Sequence, residues 1–279
     1  MKSMFIAAAA ASLTIAMPAI AQDAPKGPIT VSGSAALVTD YRFRGVSQSD
    51  NRAAIQAGMT ATHDSGLYAG IWGSNLAGWG QFGGANLELD LIGGYKFKFG
   101  DGALDVGLTW YMYPGGSDKT DFAEPYVKLS GTAGPLSLLA GVAYAPKQEA
   151  LGRWYFTGAD SVAGIYNDPG AKKDNLYLWG DASAGIPGTH ATVKAHIGYS
   201  RGNRGLGPNG TSVAPTGKYW DWMVGLDYAL IGPVTVGVAY VDTDISRRKA
   251  AYLQPNFSQT GSGRTISGAR AVFSITAAF

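Results

Sequence analysis

From Ile29 onward, apolar and polar positions trade places every second residue, in short segments broken by turn chemistry. The last stretch carries the pattern most plainly. Ala271, Phe273, Ile275, Ala277 and Phe279 share one side of a two-residue ladder, and Val272, Ser274, Thr276 and Ala278 the other. The same alternation puts Leu87, Leu89, Leu91, Tyr95, Phe97 and Phe99 opposite Glu88, Asp90, Lys96 and Lys98. It puts Val193, Ala195, Ile197 and Tyr199 opposite Thr192, Lys194, His196 and Ser200. It also puts Trp220, Trp222, Val224, Leu226, Tyr228 and Leu230 opposite Tyr219, Asp221, Met223, Gly225 and Asp227. The periodicity predicts strands over 29–46, 53–63, 67–76, 85–99, 103–113, 121–132, 135–145, 174–186, 189–201, 217–230, 233–242 and 264–279.

The connections between these segments choose the architecture. Asp64-Ser65-Gly66, Gly100-Asp101-Gly102, Ala133-Gly134, Pro187-Gly188 and Ile231-Gly232 are tight, with the residues hairpin turns need. Between them fall longer polar stretches at 47–52, 77–84, 114–120, 146–173, 202–216 and 243–263. A soluble sandwich has no reason to alternate short and long connections so regularly. A transmembrane barrel does, with short periplasmic turns, long extracellular loops and an even strand count. An apolar closing strand is an awkward edge in a soluble sheet, but in a barrel it pairs with the first strand and meets lipid. The expected fold is therefore all-β: a transmembrane antiparallel β-barrel of about 12 strands, one domain over 29–279.

Aromatics on the apolar faces sort to two heights. Trp110, Tyr144, Tyr199, Trp220 and Tyr240 lie toward the loop ends, and Phe97, Phe99, Tyr228 and Phe279 toward the turn ends. Such girdles suit the two membrane interfaces.

Composition narrows the setting. Lys2, the apolar run Met4–Ala16 and the Ala19-Ile20-Ala21 site read as a cleaved secretory signal over 1–21, followed by a short periplasmic lead-in at 22–28. Removing one Lys from the 22 Lys and Arg leaves 21 against 20 acidic residues, a net +1 that is no nucleic-acid footprint. With no Cys, neither a disulfide framework nor a thiolate chemistry is available. The longest apolar candidate for a membrane helix, Met223–Val241, is broken by Asp227 and Gly232-Pro233. The setting is the bacterial outer membrane, with lipid outside and small polar solutes inside. The C-terminal strand is the expected contact for the barrel-assembly machinery, and oligomeric state is open.

Twelve strands about 4.8 Å apart and tilted about 40° give a backbone radius of roughly 12 Å, so any opening left by side chains is narrow. The expected pore-lining charges are Asp40, Arg42, Arg44, Glu88, Asp90, Lys96, Lys98, Asp105, Glu124, Lys128, Asp181, Lys194, Asp221, Asp227 and Arg270. Arg42 and Arg44, on one face near the outer end of the first strand, would either attract anions or pair with luminal acids. Eight acids against seven bases produce no single-sign field. Loop 146–173 either folds inward to narrow the pore or stays outside.

Enzymatic patterns are weak. His63, His190 and His196 lack metal-ligand spacing, and no cofactor is expected. His63-Asp64-Ser65 is superficially similar to the His-x-Ser of outer-membrane phospholipases, but it falls on a predicted periplasmic turn with no Asn to orient the base. Asn209-Gly210-Thr211 matches a glycosylation sequon within a Gly-rich loop. The alternatives to a channel are an outer-membrane lipid hydrolase and a structural or adhesive barrel with a plugged lumen.

Two stretches carry a family resemblance: Ser32-Gly-Ser-Ala-Ala-Leu-Val-Thr-Asp-Tyr-Arg-Phe-Arg-Gly-Val-Ser47 and His63-Asp-Ser-Gly-Leu-Tyr-Ala-Gly-Ile-Trp-Gly-Ser-Asn75. With Glu88-Leu-Asp90, Gly93-Gly-Tyr95, Leu104-Asp-Val-Gly107 and Tyr111-Met-Tyr-Pro-Gly115, the chain resembles the TorF-type family of porins from about Val31 to Gly115. The resemblance implies an outer-membrane channel-like barrel and brings no catalytic residues.

Overall fold

The computed structural model describes residues 27–78, 84–205, 213–252 and 264–279. The expected signal segment 1–21, most of the lead-in and the sequon at 209–211 lie outside the described residues, as do parts of loops 77–84, 202–216 and 243–263.

The alternating segments form strands, and each pairs antiparallel with the next. They are β1 (Ile29–Val38), β4 (Ala54–His63), β5 (Leu67–Asn75), β6 (Leu87–Phe99), β7 (Gly102–Met112), β8 (Phe122–Ala133), β9 (Leu136–Gln148), β10 (Lys173–Gly185), β11 (Ala191–Arg201), β12 (Lys218–Ile231), β13 (Val234–Thr243) and β14 (Arg270–Ala278). β1 pairs with both β4 and β14, so these 12 strands close into a barrel. A closed barrel satisfies every strand edge internally, which is the condition for crossing lipid with strands. Two short helices, α1 (Gly158–Ala163) and α2 (Arg247–Tyr252), sit in the long loops, and a two-rung hairpin of β2 (Arg42–Phe43) and β3 (Val46–Ser47) lies between β1 and β4. No described helix is long and apolar enough to cross a membrane.

Closure is set in register. Leu37 of β1 stands opposite both Ile275 of β14 and Ile55 of β4, with all three side chains outward. Beyond the ladder, the Gly33 N–H donates to Phe279 O at 2.7 Å and the Phe279 N–H to Gly33 O at 2.9 Å. The outward apolar faces stay uncovered, Ile275 being 54% and Leu226 39% exposed. A water-soluble globule would bury such residues; on a barrel they form the lipid-facing belt. The tight turns carry the positive φ expected of hairpins. Gly66 (φ 102) also lies so near the Lys96 carbonyl that a Cβ there would clash.

One strand differs from expectation. The predicted first strand, 29–46, leaves the wall after Val38. Arg44 and Gly45 both take positive φ, 48° and 78°, making the two-residue turn that joins β2 to β3. The alternation continues through Tyr41, Arg42 and Phe43, but it belongs to a hairpin folded into the barrel rather than to the wall. The last strand likewise begins at Arg270 rather than 264, because Ser267 turns back onto the Thr265 hydroxyl.

Candidate functional site

Inward positions of the wall meet inside the barrel, and their chemistry changes along its axis. Toward the tight turns, charges pair between neighbouring strands. Lys194 of β11 lies 2.8 Å from Asp227 of β12, and Lys128 of β8 lies 3.9 Å from its register partner Asp105 of β7. Tyr68 donates to Asp105 at 2.5 Å and touches the Tyr126 hydroxyl, while Lys128 sits over the Tyr126 ring at 3.9 Å. Midway, His196 bridges Asp181 (Nδ1, 2.6 Å) and Asp221 (Nε2, 3.1 Å), with Tyr177 Oη 2.8 Å from Nε2.

Toward the long loops, the β2–β3 hairpin fills the lumen. Its base is held by Arg42, which pairs with Asp40 at 2.7 Å and donates to the carbonyls of Gly45, Ile266 and Gly268. Ser47 Oγ donates to the other Asp40 oxygen at 2.5 Å. The tip reaches the far wall. Arg44 Nη2 pairs with Glu124 of β8 at 2.6 Å, its guanidinium lies 4.1 Å from the Tyr177 ring of β10, and Tyr219 of β12 donates to its carbonyl at 3.0 Å. β8 and β10 each lie five strands from β1, one in each direction round the barrel, so the hairpin spans the lumen. Gly45 fits there because a Cβ would run into Thr243 and Asp221.

The outer loops pack down on this hairpin. Phe43 shares a buried apolar group with Tyr41, Trp72, Tyr111, Phe122 and Leu151. Val46 shares another with Tyr155, Tyr219, Ile245 and Ile266. Leu151 and Tyr155 belong to the long loop 146–173, so part of that loop turns inward.

The sequence-expected charges therefore fall into three settings. Asp40, Arg42 and Arg44 are not wall residues but belong to the hairpin and its base, a correction that follows from the turn at Arg44-Gly45. Glu88, Asp90, Asp105, Glu124, Lys128, Lys194, Asp221 and Asp227 are buried on the inner face, and Asp181 and Lys96 half-buried. Lys98 and Arg270 are exposed at the two ends; Arg270 donates to Asn51 O at 2.9 Å and lies 3.5 Å from Asp40. Trp110, Tyr144, Trp220, Tyr240, Phe97, Phe99, Tyr228 and Phe279 are exposed on the outer face, and Tyr199 half-exposed against Trp220 with ring centroids 4.9 Å apart. Tyr144 and Tyr240 hydrogen-bond Asp174 and Asp242 at the loop end, the polar tip an interfacial aromatic wants.

Sequence reasoning missed the aromatic lining of the outer lumen. Trp72, Tyr111 and Tyr177 alternate with outward neighbours, so the two-residue period already marked them as inward. His63 Nδ1 and Ser65 Oγ lie 2.9 Å apart at the exposed turn, where the Ser65 N–H also donates to Nδ1. That is a turn contact, in which the backbone N–H occupies the Nδ1 lone pair that would have to take the Ser65 hydroxyl proton. Among the described residues, no group of three or more His, Asp or Glu could hold a metal ion.

A family model described as "Bacterial protein of unknown function (Gcw_chp)" matches residues 22–279. No curated protein matches the sequence. Among solved structures, the chain is similar to the outer membrane channel DcaP of Acinetobacter baumannii (10% identity, 90% of this chain, 97% of that one, TM-score 0.38). It is also similar to the anion-selective porin from Comamonas acidovorans (12%, 90%, 99%, 0.39). A chain from a study of in-meso crystallization of membrane proteins is similar at 9% identity, over 89% of this chain and 83% of that one, with a TM-score of 0.47.

Proposed function

The chain belongs to the Gcw_chp family of bacterial proteins of unknown function, and from that premise we propose that it is an outer-membrane channel for small polar solutes, narrowed by its own first loop. In bacteria, a closed barrel with an uncovered apolar belt belongs in the outer membrane. The observation that carries the channel reading is the inner half of the lumen, where Asp105–Lys128 and Lys194–Asp227 line the wall. A barrel meant only to be filled gains nothing from such ions, since burying charge costs more than packing apolar side chains. A solute path needs them, to replace water around polar cargo. The resemblance of residues 32–47 to TorF-type porins points the same way. Removal of 1–21 as a signal and delivery of the C-terminal strand to the barrel-assembly machinery complete the reading.

The hairpin favours a second reading, a structural or adhesive barrel with a plugged lumen. Planar-bilayer recording separates the two. The full chain should give small discrete conductance steps, and a variant with Arg42–Ser47 replaced by a short Gly-Ser turn should give steps several-fold larger. If both folded proteins stay silent, the channel reading is wrong and the plugged barrel stands.

A further inference from the structure

The outer half of the lumen holds more negative charge than its bases answer. Glu88 and Asp90 of β6 and Glu124 of β8 face inward and are buried. Glu124 spends one oxygen on Arg44. Glu88 faces the hydroxyls of Tyr41 and Tyr113. Asp90 is 1% exposed, and neither of its oxygens has a hydrogen-bond partner among the described residues; its charged neighbours are Glu88 and Glu124. No described basic side chain pairs with Glu88 or Asp90, and the internal segments outside the description (79–83, 206–212 and 253–263) contain no Lys or Arg to supply one. An unanswered buried carboxylate is costly, so something positive belongs beside it.

The walls say what kind of cation. In register, Asp90 stands between Trp72 of β5 and Tyr111 of β7. Tyr41 closes over Trp72 edge-on at 5.5 Å, and Tyr111 stacks on Phe122 at 4.6 Å. A hard metal ion wants a shell of oxygens, and the described residues assemble none. Aromatic rings beside a carboxylate suit a soft, weakly hydrated organic cation. We propose that this end of the lumen binds an organic cation of the alkylammonium or guanidinium class, with Asp90 and Glu88 taking the charge and Trp72, Tyr111 and Tyr41 the body. Tyr41 lies at the base of the hairpin, so the segment that narrows the lumen also closes the site. The route in rests on the channel reading; the binding does not.

The test is isothermal titration calorimetry of the full detergent-solubilised barrel with butylammonium chloride and guanidinium chloride, against sodium chloride and sodium butyrate. Saturable binding of the two organic cations, absent for sodium and butyrate, is expected. Asp90→Asn should weaken it about tenfold or more, the loss of one charge-assisted contact. Glu88→Gln serves as a second variant, and heat-modifiable gel migration checks that each barrel is folded. No binding by the wild type, or unchanged binding in both folded variants, would overturn the proposal and leave the carboxylates holding protons. Conductance without cation binding would sink this site alone. Binding without conductance would sink the channel reading and leave the site standing.

Discussion

The two halves of the lumen are built from the same inward positions of the same strands, yet they solve opposite problems. Toward the tight turns, acids and bases sit on adjacent strands and answer each other: Asp105 with Lys128, Lys194 with Asp227. Toward the loops, the wall offers Glu88, Asp90 and Glu124, and among the described residues the base that pairs with Glu124 arrives on a hairpin from the other side of the barrel. The inner half is held by neighbours and keeps a polar lining. The outer half is held by a cross-lumen contact and is packed with Tyr41, Phe43, Tyr111 and Phe122. The hairpin is thus part of the barrel's electrostatics as well as an obstruction.

Arg44→Ala tests the contrast between the two halves most directly. Arg44 and Glu124 have side chains only 2% and 1% exposed, so removing the guanidinium leaves Glu124 charged and dry. The expected cost is about 3–5 kcal/mol, read as a shift in reversible urea unfolding from phospholipid vesicles. A loss below about 1 kcal/mol would put the pair among solvated ion pairs and erase the distinction between the halves.

Lys194→Met asks the same of the inner half. Its pair with Asp227 is also short, 2.8 Å, but the side chains keep 7% and 12% exposure near the inner mouth. Water can reach Asp227 once the ammonium is gone, so the expected cost is about 2 kcal/mol, the scale of one charged hydrogen bond. An equal or larger loss than Arg44→Ala in the same titration would reverse the ranking.

The two halves also differ in how far the sequence reveals them. Strand existence, the sidedness of Leu226 and Ile275, and the inward set from Glu88 to Asp227 follow from period-two alternation and turn spacing, because wall residues obey local rules. A neighbour pair such as Asp105–Lys128 is one register step away. The hairpin obeys the same local alternation, so Asp40, Arg42 and Arg44 pass for wall residues. Only the left-handed turn at Arg44-Gly45 separates the two, and Arg is not a residue that announces positive φ. Contacts such as Arg44–Glu124, 80 positions apart, depend on closure of the whole barrel and leave no mark in either segment. The aromatic lining is legible in the same way, since Trp72 and Tyr111 fall on the inward parity of their strands.

The smallest expected effect completes the series. Lys119 and Glu149 meet at 2.8 Å, the same length as Lys194–Asp227, but on the loop surface, where their side chains are 50% and 31% exposed. Both ions keep most of their water, and salt screens what attraction remains. Lys119→Ala should therefore leave the urea midpoint unchanged within error at 0.15 M salt, the ionic strength at which exposed charges are screened over about 8 Å. If it instead moved the midpoint as far as Lys194→Met does, ion-pair length would be governing stability in this barrel. The ranking by burial, on which the contrast between the two halves of the lumen stands, would then have to be given up.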